Sequence, residues 1–383
     1  MSRSLELLRQ LVAIPSVNPM GRDASGPEFR EGRLSDFLES FFRRLGVACE
    51  RIEVAPGRAN VVARFDALGA KRTVLLDAHQ DTVSADGMTV EPFTPAERDG
   101  RLYGRGACDV KGGMAAMLAA FERLVRERPA GAADVVLSCC CDEESTMRGI
   151  QALVGRWTPA NRPDVAVVAE PTGLDVVVAH KGIVRWQVNT SGRACHSSAP
   201  ERGVNAIYRM ARVVTVLEEY AAELPTLVPT HPLCGPATLS VGRIEGGVGV
   251  NTVPDSCAVL IDRRLLPGED ARTAVDHAHA TLTRRAGVPF EFLPPLHVLP
   301  PLADGPNAAL ADRLLAHVQA VAGPRRAVGV AYGTHAARTA TAGVPSVVFG
   351  PGCIAQAHTA DEWVEVAQLD LASDVYFNFC AAG

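Results

Sequence analysis

Two periodicities take turns along the chain. LELLRQLVAI and FREGRLSDFLESFFRRLG carry apolar residues at helical spacing, whereas NVVARF and TVLLDAH are short β-rich runs. VKGGMAAMLAAFERLVRER predicts a long helix, and VVLSCCCDEE and VAVVAE predict apolar strands that each end in acids. Helix alternating with strand indicates an α/β sheet. Ligand sites of open sheets of this kind lie at the carboxyl ends of the strands.

From Lys181 the pattern changes. IVRWQVNTSG alternates with period two, a helix is expected from about Val204 to Leu224, ATLSVGRIEGG and CAVLIDRRL alternate again, and ARTAVDHAHATLTRRAG is helical. Two strand, helix, strand units predict a ferredoxin-like inserted domain. FLPPLHVLPPLADGP reads as an exit linker, after which a helix near Leu310 and the strands AVGVAY and PSVVFG rejoin the first pattern. The expected division is 1-180, an inserted 181-293, and 294-383.

At 383 residues and 47% hydrophobic content the chain can bury a sizeable core. A net charge of -5 without a long basic run argues against nucleic-acid binding, because phosphate contacts need clustered Lys and Arg. Charges interrupt MSRSLELLRQLVAIP and no later apolar stretch is long enough to span a bilayer, so the expectation is a soluble cytoplasmic protein with no membrane partner. The ten cysteines are scattered without a Cys-x-x-Cys pair, which predicts reduced and mostly buried thiols.

Candidate chemistry gathers at the predicted strand ends. TVLLDAHQDTV sets His79 and Asp81 two apart, on one face. A carboxylate beside a ligand histidine fixes its tautomer, although a surface strand end is the plainer explanation of the pair alone. Asp109 lies in the glycine-rich turn GRGACDVKGG before a helix, where a solvated capping acid is the alternative. Asp142, Glu143 and Glu144 follow one strand; two adjacent glutamates there can divide metal binding from proton transfer. Glu170 ends VAVVAE, and His358 follows the loop GPGCIAQ. This mixture of nitrogen and oxygen donors suits zinc, and also cobalt or manganese.

AHQDTV, GRGACDVKGG, DEE, AEPT and AHTADE occur in the order and spacing of the M20 metallopeptidase family, which the chain resembles over nearly its whole length. Within that family the likeness is to the acetylornithine deacetylase and succinyl-diaminopimelate desuccinylase branch. The resemblance implies a metallo-exopeptidase-like α/β catalytic domain, with 181-293 as an inserted α+β lid and dimerisation domain. It implies two divalent metal ions: His79 and Glu170 hold one, Glu144 and His358 the other, and Asp109 bridges them, with Asp81 orienting His79. Glu143 is then the general base that activates a metal-bridging water and passes the proton to the leaving amine. SGRACHSSAP resembles the family segment whose histidine reaches the partner subunit's active site, making His196 an oxyanion donor in a homodimer.

GVGVNTVPDSC and DRRLLPGED likewise match family segments, which makes Asn251 and Arg264 candidate substrate contacts; an arginine fork suits a free carboxylate. Strand alternation lets only one of Arg263 and Arg264 face a site. In YGTHAART, Gly333, Thr334 and His335 stand at further substrate-binding positions, and His335 replaces the acid usual in acetylornithine deacetylases. The expected reaction is hydrolysis of the amide of a small N-acyl amino acid, with dipeptidase, carboxypeptidase or desuccinylase-like activity as alternatives. A non-catalytic binding homologue would lack a ligand or the base. A thiol hydrolase would need Cys195 to act with His196, yet neighbours on an extended segment point apart.

Overall fold

A computed structural model describes all 383 residues, Met1–Gly383. The chain divides into two compact units: the first comprises Met1–Val178, Asp304–Val328 and Thr334–Gly383, the second Ala179–Ala303 and Gly329–Gly333. No helix is long and apolar enough to cross a membrane.

An eight-stranded sheet organises the first unit, in the order Cys49–Ala55, Arg58–Phe65, Asp134–Cys140, Thr73–His79, Val165–Val168, Ser346–Val348, Val176–His180 and Ala327–Val330. Its centre is parallel. Strands buried on both faces need continuous apolar runs, and TVLLDAH and VAVV supply them. Register pairs His79 with Cys140, Asp77 with Val168, and Val168 with Val348. Four neighbouring parallel strands therefore end close to one level, and the acids and histidines that follow them leave from one edge of the sheet.

The helices Arg3–Val12, Lys111–Glu127 and Val366–Ala381 contribute Leu7, Leu8, Phe121, Leu124, Tyr376 and Phe379 to the main core. Nearly every side chain of Lys111–Phe121 is buried. Gly113 is required by close approach, since a Cβ there would stand 2.8 Å from Ala169 Cβ. The glycine thus seats the helix against the residue before Glu170.

The second unit runs strand, helix, strand, strand, helix, strand: Gly182–Ser191, Ala206–Leu227, Thr238–Gly246, Ser256–Leu265, Ala271–Arg285 and Glu291–Phe292. Along its sheet the order is second, third, first, fourth, the split ferredoxin-like arrangement. Asn205 caps the first helix by accepting the Tyr208 N–H, and Asp270 caps the second by accepting that of Thr273. Trp186, Met210, Tyr220 and Ile261 fill its core. The Pro-rich run expected to be a linker belongs to this unit, because Glu291–Phe292 and His297–Leu299 both pair with Gly182–Ser191. Its non-proline residues retain the N–H groups that make those ladders.

Candidate active site

The five predicted metal ligands all belong to the first unit. His79 Nε2 is 3.0 Å from Asp109 Oδ1, and His358 Nε2 is 3.3 Å from Asp109 Oδ2 and 3.2 Å from Glu144 Oε1. Asp109 thus stands between the two histidines. One donor atom from each of His79, Asp109 and Glu144 lies within 4.8 Å of the others. Glu170 and Glu143 are close enough for their charges to act on His79.

Asp109 is not a capping acid. It is buried, and Val110, the residue before the helix, makes no side-chain cap bond. The turn is held from behind by Glu362, whose carboxylate accepts the N–H groups of Gly106, Cys108 and Asp109 and pairs with Arg105 Nη1 at 2.6 Å. Lys111 continues the anchorage: its buried Nζ donates to the carbonyls of Leu11 and Ile14. Glu362 follows no apolar strand and so carries no strand-end signal in the sequence, although it lies four residues after His358 within AHTADE.

Asp81 acts differently from the expectation. His79 Nδ1–H donates to the main-chain carbonyl of Asp81 at 2.9 Å, while the nearest carboxylate oxygen is 3.8 Å away. The carboxylate turns to the acidic loop, accepting the N–H of Glu143 at 3.0 Å and of Glu144 at 3.1 Å.

These contacts test whether the residues fit metal cations. With Nδ1 donating to the Asp81 carbonyl, Nε2 faces Asp109. Burial lowers His79, but the bond to Asp109 and the neighbouring carboxylates outweigh it and push the imidazole well above its usual range, so a proton takes the place between the two donors that a cation would fill. A histidine whose other nitrogen donates to a carbonyl is the usual arrangement of a metal ligand. Charge crowding points the same way. Burial, followed by the neighbouring carboxylates, pushes Glu143 and Glu170 well above the usual range and Glu144 up to about 7. Burial also raises Asp109, but hydrogen bonds from His358 and His79 outweigh it and hold the carboxyl down. Hydrogen bonds to Asp109 and Glu144 push His358 up to about 10. The donor set fits divalent cations.

Thr334 and His335 also lie in the first unit, both buried. His335 Nδ1 pairs with Asp77 Oδ2 at 2.7 Å, Ser138 donates to the other carboxylate oxygen, and His335 Nε2 is buried without a partner. The His335 ring centroid is 6.4 Å from that of His79.

The remaining candidates are in the second unit. His196 is exposed, and its Nδ1 accepts from Ser198 Oγ at 2.7 Å and Ser198 N–H at 3.2 Å. Bonding to a main-chain donor leaves the proton on Nε2. His196 bridges to Thr252, and the Asn251 carbonyl accepts the Ser197 N–H, so His196 and Asn251 come together. Cys195 Sγ points to the Ala199 carbonyl at 3.4 Å instead of pairing with His196. Arg263 is buried against Glu269, whereas half-buried Arg264 pairs with Asp262 at 2.7 Å. A Cβ on Gly333 would meet Leu299 Cδ2 at 2.5 Å. His277 and His279, both exposed, have partners in Tyr220 Oη and the Phe292 ring.

An acetylornithine deacetylase of Proteus mirabilis is 32% identical over 393 residues, covering 99% of this chain and 97% of that protein. The fold resembles an M20 family metallo-carboxypeptidase from Sulfolobus solfataricus, with a TM-score of 0.80, 19% identity, and coverage of 100% and 99% of the two chains. A dinuclear metal-binding M20 peptidase of Bacillus subtilis gives a TM-score of 0.67 at 16% identity, covering 99% of this chain and 97% of that one. Residues 75–382 match peptidase family M20/M25/M40. With donors grouped at the sheet edge and these likenesses running the length of the chain, the protein belongs to peptidase family M20/M25/M40.

Proposed function

We propose that this metal-dependent amide hydrolase removes the acyl group from a small N-acyl amino acid with a free carboxylate. The observation that carries the proposal is the donor group around Asp109 with Glu143 beside it, in a chain that is 32% identical to an acetylornithine deacetylase. His79 and Glu170 hold one divalent cation in this reading, Glu144 and His358 the other, and Asp109 both. Zinc is the proposed metal, with cobalt or manganese as alternatives; when bound, the cations acidify water and polarise the scissile carbonyl.

Glu143 moves the proton. Its N–H is fixed on Asp81, and its half-buried side chain is close enough to His79, Glu144 and Asp109 for their charges to act on it. It receives the proton of the attacking water and delivers it to the amine nitrogen, which is too basic to leave unprotonated. In the homodimer of this proposal, His196 of the partner subunit donates from Nε2 to the developing oxyanion. Arg264 holds the carboxylate, with Asn251 and the Gly333–His335 segment completing recognition. The reading favours a neutral amino-acid side chain over a cationic one, since His335 is occupied with Asp77.

A second copy of the chain pairs along Thr238–Gly246 in this proposal. That strand lies at the edge of its sheet, largely exposed, and Tyr208, Val248 and Val250 are 73%, 92% and 103% exposed in the same unit. An uncovered strand edge is a template for another strand. All ten cysteines are free, in keeping with a reducing, cytoplasmic setting.

The test is a panel of N-acetyl and N-succinyl amino acids and dipeptides, assayed after chelation and after return of zinc, cobalt or manganese. Turnover of an N-acyl amino acid that vanishes with chelator and returns with metal supports the reading. Activity that survives metal removal defeats it, and turnover confined to dipeptides moves the assignment to a peptidase.

A further inference from the structure

Three buried carboxylates, those of Glu31, Asp81 and Asp142, meet behind the acidic loop. Together they hold three successive main-chain N–H groups. Glu31 Oε1 accepts that of Asp142 at 3.1 Å, while Asp81 accepts those of Glu143 and Glu144. Arg58, at the start of its strand and only 13% exposed in its side chain, is the cation set among them. Its Nε donates to Glu31 Oε2 at 2.9 Å, one terminal nitrogen donates to Glu31 Oε1, and the other donates to Asp142 Oδ1 at 2.6 Å. Asp81 Oδ2 is 4.0 Å from the guanidinium. Asn18 Nδ2 bridges Asp81 and Asp142 at 2.7 and 3.1 Å.

Asp142 has φ of 66°, a left-handed conformation uncommon for non-glycine residues and more open to Asp than to most. The contacts that hold it there are the Arg58 bond, the Asn18 bond and a bond from the Thr146 hydroxyl. A flat fork that grips two carboxylates at once is a geometry arginine supplies and lysine does not.

We infer that Arg58 is a positioning residue which, through Glu31 and Asp142, sets the main chain of Glu143 and Glu144 and so the placement of the proposed base and metal ligand. The roles of those two glutamates rest on the function proposed above. Arg58 touches neither substrate nor metal in this account. Its effect passes through the loop.

Full-length Arg58→Met and Arg58→Lys are compared with the unaltered chain by thermal melting, by zinc titration of the metal-free protein against a chromophoric chelator, and by kcat and KM on an N-acyl amino acid. The expected result for Arg58→Met is zinc affinity lowered by about tenfold to a hundredfold, the range for lost support behind a metal ligand. Its kcat should fall by at least about tenfold while KM moves less than about threefold, because the change acts on the base and not on ground-state binding. Arg58→Lys should fall between. Unaltered zinc affinity and kcat, or a lowered melting temperature with unaltered kcat in the folded fraction, overturns the inference. If Arg58→Met does not fold, Arg58→Lys decides by the same two readouts. The zinc titration needs no substrate, so a failure of the deacylase reading leaves the test of Arg58 standing.

Discussion

The strand-edge site of the first unit and the His196 segment of the second are built in opposite ways. At the strand ends, Asp81, Asp109 and Glu170 are all at most 7% exposed, and two loops are held from behind by a buried partner: Glu362 for Asp109, Asp81 for Glu143 and Glu144. His196 and Asn251 are exposed, and their segments are joined by a few main-chain bonds and one Ser198 contact. Like charges held close together need a rigid scaffold, because their repulsion grows away from water. A single donor aimed at a transient negative charge needs only the right tautomer. The difference teaches that these regions should fail differently on mutation, through chemistry and metal in the first and through transition-state contact alone in the second.

The largest effect should come from Glu143→Gln, which keeps the shape and removes the proposed proton acceptor. Turnover should fall by about 10³-fold, within the span for general acid–base groups, while zinc content measured by atomic emission stays unchanged; near-normal turnover would exclude the role. His196→Ala should lower kcat by about 10²-fold with KM little altered, as for a lost oxyanion donor, and steady-state kinetics on the zinc enzyme decide it. A change confined to KM would make His196 a ground-state contact and erase the contrast between the regions.

Asp81→Asn replaces an oxygen facing a main-chain N–H with an amide nitrogen. Weakened zinc binding by about tenfold is expected, read by chelator competition, whereas unchanged affinity would show that the His79–carbonyl bond alone suffices. The smallest effect should be Asn205→Ala, which removes the cap of Ala206–Leu227. Loss of about 1 kcal/mol is typical of such a cap. Hydrogen exchange should place that loss in the second unit and leave the amides of Thr73–His79 as protected as before.

Much of the site is legible locally. His79, Glu143, Glu144 and Glu170 stand out because each follows an apolar strand, and strand ends of an α/β sheet are where ligands collect. The alternation of DRRLL also foretells that Arg263 and Arg264 separate, one buried on Glu269 and one half-exposed. Arg58 and Glu31 carry no such signal. Both read as ordinary surface charges in their own segments, and they become a clamp only because the strand Arg58–Phe65 lies beside Asp134–Cys140. Asp77 is equally silent until the fold brings His335 to it across 258 positions.

The sequence by itself determined the periodicities, the acids at strand ends and the kinship, because these depend on residues within a strand or a helix turn of one another or on ordered motifs. Only the tertiary structure decided that Asp81 meets His79 through its carbonyl and the acidic loop through its carboxylate, that Glu362 grips the turn of Asp109, and that the Pro-rich run joins a sheet. Those choices are made by strand register and by the need of each buried polar group for a partner, and neither acts until distant segments have packed.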